Sequence, residues 1–408
     1  EEGSYESGKQ NGKWVWYYET GIKKEQTKFL DGQQIGLWVQ WFNDGTKKSE
    51  RKFTEGERDS LWTSWFNNGN KKFQASYEKG KLNGSWTSWY EGGIVKEKTG
   101  YYLNNKMDKK WTYWAEDGRK TEEITFSEGI KNGPYLFWNE DNYKIVEGEY
   151  SKDEKHKTWT LWYDDGLIKA IENYANGEMD GLWTWWRPDG IKDKQGNFRK
   201  GVKHGLWTNW NNTDHKKGEE TYVNGVLDGL VTVWHDNGNK DREGIIRGNE
   251  PEGSWTYFFA DGTEDFRFDY GSGLDRVRIS ELEERDGVFF KIGKHKPYSG
   301  IVVESGGVKD YLLLGRFQKG KRDGQWVQWY RNGQKEVEGT YYKGKKNGDW
   351  TLWYEDGTLK EKGKFSMGET DGLYKYWYAN GHLHMEQSYE NGKPYGRWTW
   401  WYEHDHNL

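Results

Sequence analysis

Aromatic, β-branched and polar positions follow one another along this chain in a fixed order that returns every 24 residues. The stretch Gly181-Leu182-Trp183-Thr184-Trp185-Trp186-Arg187-Pro188-Asp189-Gly190 recurs as Gly36-Leu37-Trp38-Val39-Gln40-Trp41-Phe42-Asn43-Asp44-Gly45 and as Gly348-Asp349-Trp350-Thr351-Leu352-Trp353-Tyr354-Glu355-Asp356-Gly357. Taking the first Trp as slot 0, the slot falls at 14, 38, 62, 86, 111, 159, 183, 207, 255, 326, 350 and 398, with Tyr135, Val231 and Tyr374 filling it elsewhere. One step is 25 residues, from 86 to 111, and the spacing breaks once after 255. A constant period of this length marks a repeat array. All 28 Trp residues sit at slots 0, +2 or +3, an allocation that speaks of packing before chemistry.

One period reads as two strands and two turns. From slot 0 to +4 the residues are strand formers, with Thr or Val at +1 and Trp at +3, as in Thr160 and Trp162. Residues two apart share a strand face, so this strand carries aromatics on both sides. The first turn ends at +7 on Gly, replaced by Asn142, Asp214 and Asp405. A polar, Lys/Glu-rich strand follows, ending on an aromatic at +15. The second turn has Gly at +18, replaced by Asn104, Asp153 and Asn249. Only Gly, Asn and Asp readily adopt positive φ, so both slots are expected to be left-handed. Acidic or amide residues before Gly, as in Asp228-Gly229, are hairpin punctuation. The expected fold is all-β: an elongated array of about 30 strands in consecutive antiparallel β-hairpins, forming a single-layer twisted sheet. The pattern divides the chain into an array over 1–273, an irregular junction over 274–300 and a second array over 301–408. Within the junction, Ile279 to Asp286 reads as a short helix or an irregular strand.

Composition supports this reading. Hydrophobic residues are 33% and charged residues 31%, a balance typical of disordered chains, but aromatics reach 18% and bury large areas. Net charge is −5, which gives no general attraction to nucleic acid. There is no Cys, hence no disulfide, thiolate zinc site or Cys nucleophile. No apolar run reaches the length of a membrane span and no signal peptide is legible. The chain opens on Glu1 rather than Met, and both ends fall inside a repeat, so a processed or trimmed terminus and a longer natural protein are expected. A secreted or envelope setting is favoured over the cytoplasm.

The period Gly-x-Trp-x-x-Trp-Tyr-x-Asp-Gly followed by Lys-x-Glu-x-x-Tyr-x-x-Gly-Lys-x-Asn-Gly resembles the MORN-repeat variant family of bacterial proteins, whose members are often labelled antitoxin-like or membrane-binding. The copy at Trp350 is close to its pattern, and Arg285-Asp286-Gly287 with Pro297-Tyr298-Ser299-Gly300 resembles the segment that begins such arrays. The resemblance implies consecutive hairpins in a single-layer sheet and a role in binding or scaffolding, with no shared catalytic residues. The second Trp at +3 and the extreme Trp content depart from plain MORN repeats.

Catalytic and cofactor chemistry find little footing. Turn triplets such as Glu355-Asp356-Gly357 lack the alternating oxygen ligands of a calcium loop and read as turn chemistry. His404 and His406 share a strand face but have no third ligand in sequence. No phosphate loop and no Ser/His/Asp arrangement is visible, so no cofactor and no metal is expected and the protein is not expected to be an enzyme. The recurrent aromatics at 0 and +3 read as core, with +3 expected to be the most buried slot. Slot +2 is usually polar but becomes aromatic at Trp16, Tyr113, Phe137, Trp185, Tyr257, Tyr376 and Trp400, where packing does not demand it; of these, Trp16, Trp185, Tyr376 and Trp400 are singled out. With Tyr378 and Tyr402 flanking the last two, these six residues are the candidate contact surface for a protein or a glycan; ladder packing along the sheet is the alternative. The expected partner is another protein or a second copy, with a carbohydrate-binding or envelope-associated role as the alternative.

Overall fold

A computed structural model describes residues 1–304 and 312–403. The His404/His406 pair and Asp405 lie outside the described residues. The fold is all-β: 38 strands and one short 3-10 turn, Ile279–Glu281, among the described residues. Two compact units are formed, one by Glu1–Gly229 with Val233–Gly238, the other by Leu230–Thr232 with Asn239–Leu408.

In the first unit, consecutive strands pair antiparallel as the period predicts. Strand Glu154–Trp162 pairs on one side with Lys144–Ser151 and on the other with Ile168–Ala175. Each Trp-bearing strand ends at slot +3, at Trp41, Trp65, Trp89, Trp138 and Trp162 for example. There the register shifts by one residue: Leu161 faces Ala170 but Trp162 faces Ile168.

The turns follow the expected backbone. Asn142, Asp214, Asn104, Asp153 and Asn249 all have positive φ, between 49° and 70°. The second turn has two such residues in succession, as in Asp31-Gly32 and Lys152-Asp153, the twist-matched two-residue hairpin. In the first turn the slot +6 side chain accepts the N–H two residues on: Asp165 Oδ1 from Leu167 at 2.9 Å and Asp356 Oδ1 from Thr358 at 2.8 Å. Those bonds hold the Asp356 carboxyl below the ordinary range, and the same chemistry lowers Asp44 and Asp261.

In the second unit the strand Asp275–Arg278 runs parallel to Gly300–Glu304, and Leu282–Arg285 forms a hairpin with Val288–Lys291. The stretch from Ile279 therefore holds both a helical turn and a strand. Val277, Tyr298, Val302, Leu313, Phe317 and Trp326 form a compact core here. The Tyr298 hydroxyl lies 2.8 Å from the carbonyl oxygens of both Asp275 and Ile301 and shares its one proton between them. Regular hairpins follow from Gly324–Trp329 to Lys393–Trp400.

Candidate interaction surface

The two faces of the repeat are built differently, and the deeper burial lies at slot 0, not at slot +3. Trp111, Trp159 and Trp350 are at most 2% exposed, whereas the slot +3 rings are half-buried almost throughout. The expectation that +3 is the core slot is therefore overturned, for two physical reasons. Slot +3 closes its strand beside the turn, where neighbours are fewer. Slot 0, by contrast, lies flat over a residue of the preceding strand, eleven positions earlier, which is often Gly. At Gly3, Gly100, Gly148, Gly196, Gly244, Gly315, Gly339 and Gly363 a Cβ would collide with the slot 0 ring above it. All eight rings so seated are buried. Where Thr27, Arg51 or Ala75 replaces the glycine, Trp38, Trp62 and Trp86 are only half-buried, whereas Trp183, with Glu172 at that place, stays buried.

Three further contacts close the slot 0 face. Aromatics at +15 meet the rings edge-on: Tyr150 lies 4.9 Å from Trp159 with an interplanar angle of 79°, and Phe198 lies 5.0 Å from Trp207 at 88°. Cations four residues before slot 0 cap the rings, with Lys155 4.6 Å from Trp159 and Lys346 4.2 Å from Trp350. Desolvation pushes the Lys346 ammonium down. The indole N–H of Trp159 donates to the Glu149 carbonyl at 3.2 Å, and Trp207 does likewise to Asn197 at 3.0 Å. The burial order thus runs from slot 0 to its neighbours on the same face.

That ordering decides where the candidate contact residues fall. Trp185 belongs to the slot 0 face: it lies 5.4 Å from Trp183 and 6.0 Å from Trp207, with Lys194 over its ring at 4.8 Å. It is half-buried, like Trp162, so the expected contrast between a buried Trp162 and an open Trp185 does not hold. Trp16 stacks on Trp14 at 5.7 Å and donates to Glu1. Tyr376 contacts Tyr374 at 5.1 Å, and burial pushes its hydroxyl up to about 12. Tyr376 and Trp400 flank Met385 in one cross-strand row, so the sheet does bring them together. Tyr378 fills slot +4, where its hydroxyl donates to the Trp401 carbonyl at 3.1 Å, as Tyr163 does to Trp186 and Tyr354 to Trp377. Trp400 and Tyr402 are open, at 62% and 91% exposed.

The opposite face carries a pattern that the sequence reading passed over. Beneath the slot +3 rings, slot +1 is small and buried, as at Val39, Thr112 and Thr184. The Lys at +9 pairs across the strands with its own slot +3 Trp and extends over the slot +3 ring of the next repeat. Lys144 faces Trp138, lies 4.8 Å from Trp162, and is held by Glu147. Lys47, Lys120 and Lys216 repeat the arrangement over Trp65, Trp138 and Trp234, each bound to a Glu three residues on. These lysine side chains are 38% to 48% exposed. The available signal was the Lys-x-x-Glu spacing at a constant distance from Trp. The result is a row of rings and cations open on one side.

Among the described residues, no cluster of three or more His, Asp or Glu is placed to hold a metal ion. No helix among them is long and apolar enough to cross a membrane. A cleft of about 460 Å³ lies beside Arg187, but the guanidinium there already donates to the Trp210 and Asn211 carbonyls.

Comparison with known proteins finds the MORN repeat variant at four segments, residues 10–31, 322–343, 346–366 and 370–391. No curated protein matches the chain. Among solved structures, the chain is similar to the crystal structure of TcdB2-TccC3-TEV, with 10% identity and a TM-score of 0.17 over 96% of this chain and 24% of that one. It is also similar to the Photorhabdus luminescens Tc holotoxin pore, with 12% identity and a TM-score of 0.17 over 94% and 19% of the two chains. The chain spans about a quarter or less of the length of these solved chains.

Proposed function

We propose that this protein, whose chain carries repeats of the MORN repeat variant family, is a non-enzymatic scaffold that presents a repeated face to another protein or to copies of itself. The observation that carries this reading is the ordered row of half-buried Trp rings and partly exposed Lys side chains at slots +3 and +9. Slot 0 supports the fold; slot +3 is placed where a partner can reach it. Aromatic rings beside cations, with small buried residues beneath, make a stiff surface that loses little entropy on binding. The open rings of Trp400 and Tyr402 support a second reading, a platform for stacking sugars.

The test is a crosslinking and sedimentation comparison of the chain with a variant carrying Lys120→Glu and Lys144→Glu. The scaffold reading expects an association that the variant weakens at least tenfold. An unassociated monomer that retains no protein from its native extract would end it. Quenching of Trp fluorescence by soluble glycans, unchanged in the Lys variant and lost with Trp400→Ala, would favour the sugar platform instead.

A further inference from the structure

One copy of the Trp–Lys–Glu–Trp arrangement is not open. In the second unit, Trp329 faces Lys335 across the strands, Lys335 is bound to Glu338 at 2.6 Å, and its ammonium lies 5.5 Å from Trp353. These are the same slots that Trp138, Lys144, Glu147 and Trp162 fill in the first unit. Here the site is covered by the strand Glu264–Asp269. Phe266 lies 5.6 Å from Trp329, and Lys335 sits 4.9 Å from the Phe266 ring. The Asp265 carboxylate forms an ion pair with Lys335. Covering reduces the Lys335 side chain to 9% exposure and Asp265 to 3%, and Trp329 to 5%.

The covering strand carries the same register shift that recurs at slot +3 along the arrays, but here an acidic residue followed by an aromatic fills it. Tyr257 faces Phe266 and Phe258 faces Glu264, so Asp265 is the residue left without a cross-strand partner. Such a bulge re-aims its extra side chain; here Asp265 and Phe266, neighbours in sequence, reach the same lysine. Carboxylate and ring together satisfy the two properties of the site, its cation and its aromatic face.

We propose that the open copies around Lys47, Lys120, Lys144 and Lys216 bind an extended protein segment in which a carboxylate and an aromatic ring stand side by side, as Asp265 and Phe266 do. This rests on the scaffold reading and names the chemistry of its partner. The segment's carboxylate pairs with the slot +9 lysine and its ring packs on the slot +3 indole. Several open copies separated by whole repeats favour a partner that repeats this pair, because linked contacts add avidity.

The probe is a cyclised hairpin peptide with the sequence of residues 254–269, fluorescein-labelled, titrated against the full chain by anisotropy. Saturable binding is expected, weakened at least tenfold by Asp265→Asn or Phe266→Ala in the peptide and by Lys47→Glu, Lys120→Glu, Lys144→Glu and Lys216→Glu together in the protein. A second protein, carrying Asp265→Ala and Phe266→Ala, uncovers the Trp329 site and should bind one more peptide. Binding only to that second protein would overturn the proposal for the open copies, as would binding indifferent to the peptide's Asp and Phe. No binding to either protein would overturn it as well. The scaffold reading stands or falls separately, on the crosslinking comparison.

Discussion

Two regions of the molecule hold the same four slots in different surroundings. Around Trp138 and Trp162 the lysine between the rings is 38% exposed and the carboxylate it pairs with, Glu147, comes from its own strand. Around Trp329 and Trp353 an aromatic strand lies on top, and the equivalent lysine is 9% exposed. The slot therefore does not determine burial. What determines it is whether a second surface arrives, and the row of indoles along the first unit is a face with the same chemistry and no such cover among the described contacts. Half-burial of a Trp is then a statement about partners as much as about packing.

The largest effects should separate the faces. Trp159→Ala and Trp329→Ala should each cost about 4 kcal/mol, as large-to-small changes at buried sites do, while Trp162→Ala costs about 1–2 kcal/mol at its half-buried position. Hydrogen exchange of the flanking strand amides, with urea melts, reads the local loss. Equal losses at Trp159 and Trp162 would return the core to slot +3. Next, Asp265→Ala should cost about 1.5–3 kcal/mol because it removes a charged hydrogen bond from a buried ammonium and leaves Glu338 as its carboxylate partner. Glu147→Ala, removing the partner of an exposed lysine, should cost about 0.5 kcal/mol or less. If the two losses are alike in thermal melts, the cover over Lys335 contributes nothing and the comparison collapses.

The turns provide controls that touch neither face. Asn142→Val, forcing a β-branched residue to a φ of 65°, should cost about 1–2 kcal/mol in urea melts. The smallest effect runs the other way. Lys157 holds a φ of 58° at the bulge before Trp159, a slot that is Gly in most repeats. Lys157→Gly should therefore gain about 0.5–1 kcal/mol, less what its ion pair with Glu149 contributes. A net loss would show that the ion pair outweighs the backbone.

The hairpin order and the turn backbone were legible because each rests on local chemistry repeated many times. Asn142 and Asp153 stand in for Gly only where φ must be positive, and one chain contains enough copies to show it. Which face holds the core was not legible from the same copies. Slot +3 never loses its aromatic, and slot 0 tolerates Val231, which suggested that +3 mattered more. Yet tolerance at slot 0 does not mean exposure: Val231 is itself 6% exposed although Glu220 holds the place eleven residues earlier, and at most copies the ring lies in a hollow over glycine. The glycines at 100, 148, 196 and 244, each eleven residues before slot 0, were the sequence trace of that hollow. The closed site at Trp329 could not have been read at all, because it depends on a long-range approach of Phe266 across an irregular segment.

The single 25-residue step has its own consequence. Its turn runs from Tyr90 to Val95, closed by the Tyr90 N–H to the Val95 carbonyl at 3.1 Å, where the other first turns close one residue sooner. Ile94 stands out from it, 90% exposed, and the strands on either side keep the pairing of every other repeat. A length change was thus absorbed at a loop tip without shifting the register of a single flanking pair, as surface loops allow. Such a chain can grow or shrink by duplication of whole hairpins, or accept a grafted sequence at a turn, while its ladder stays in phase.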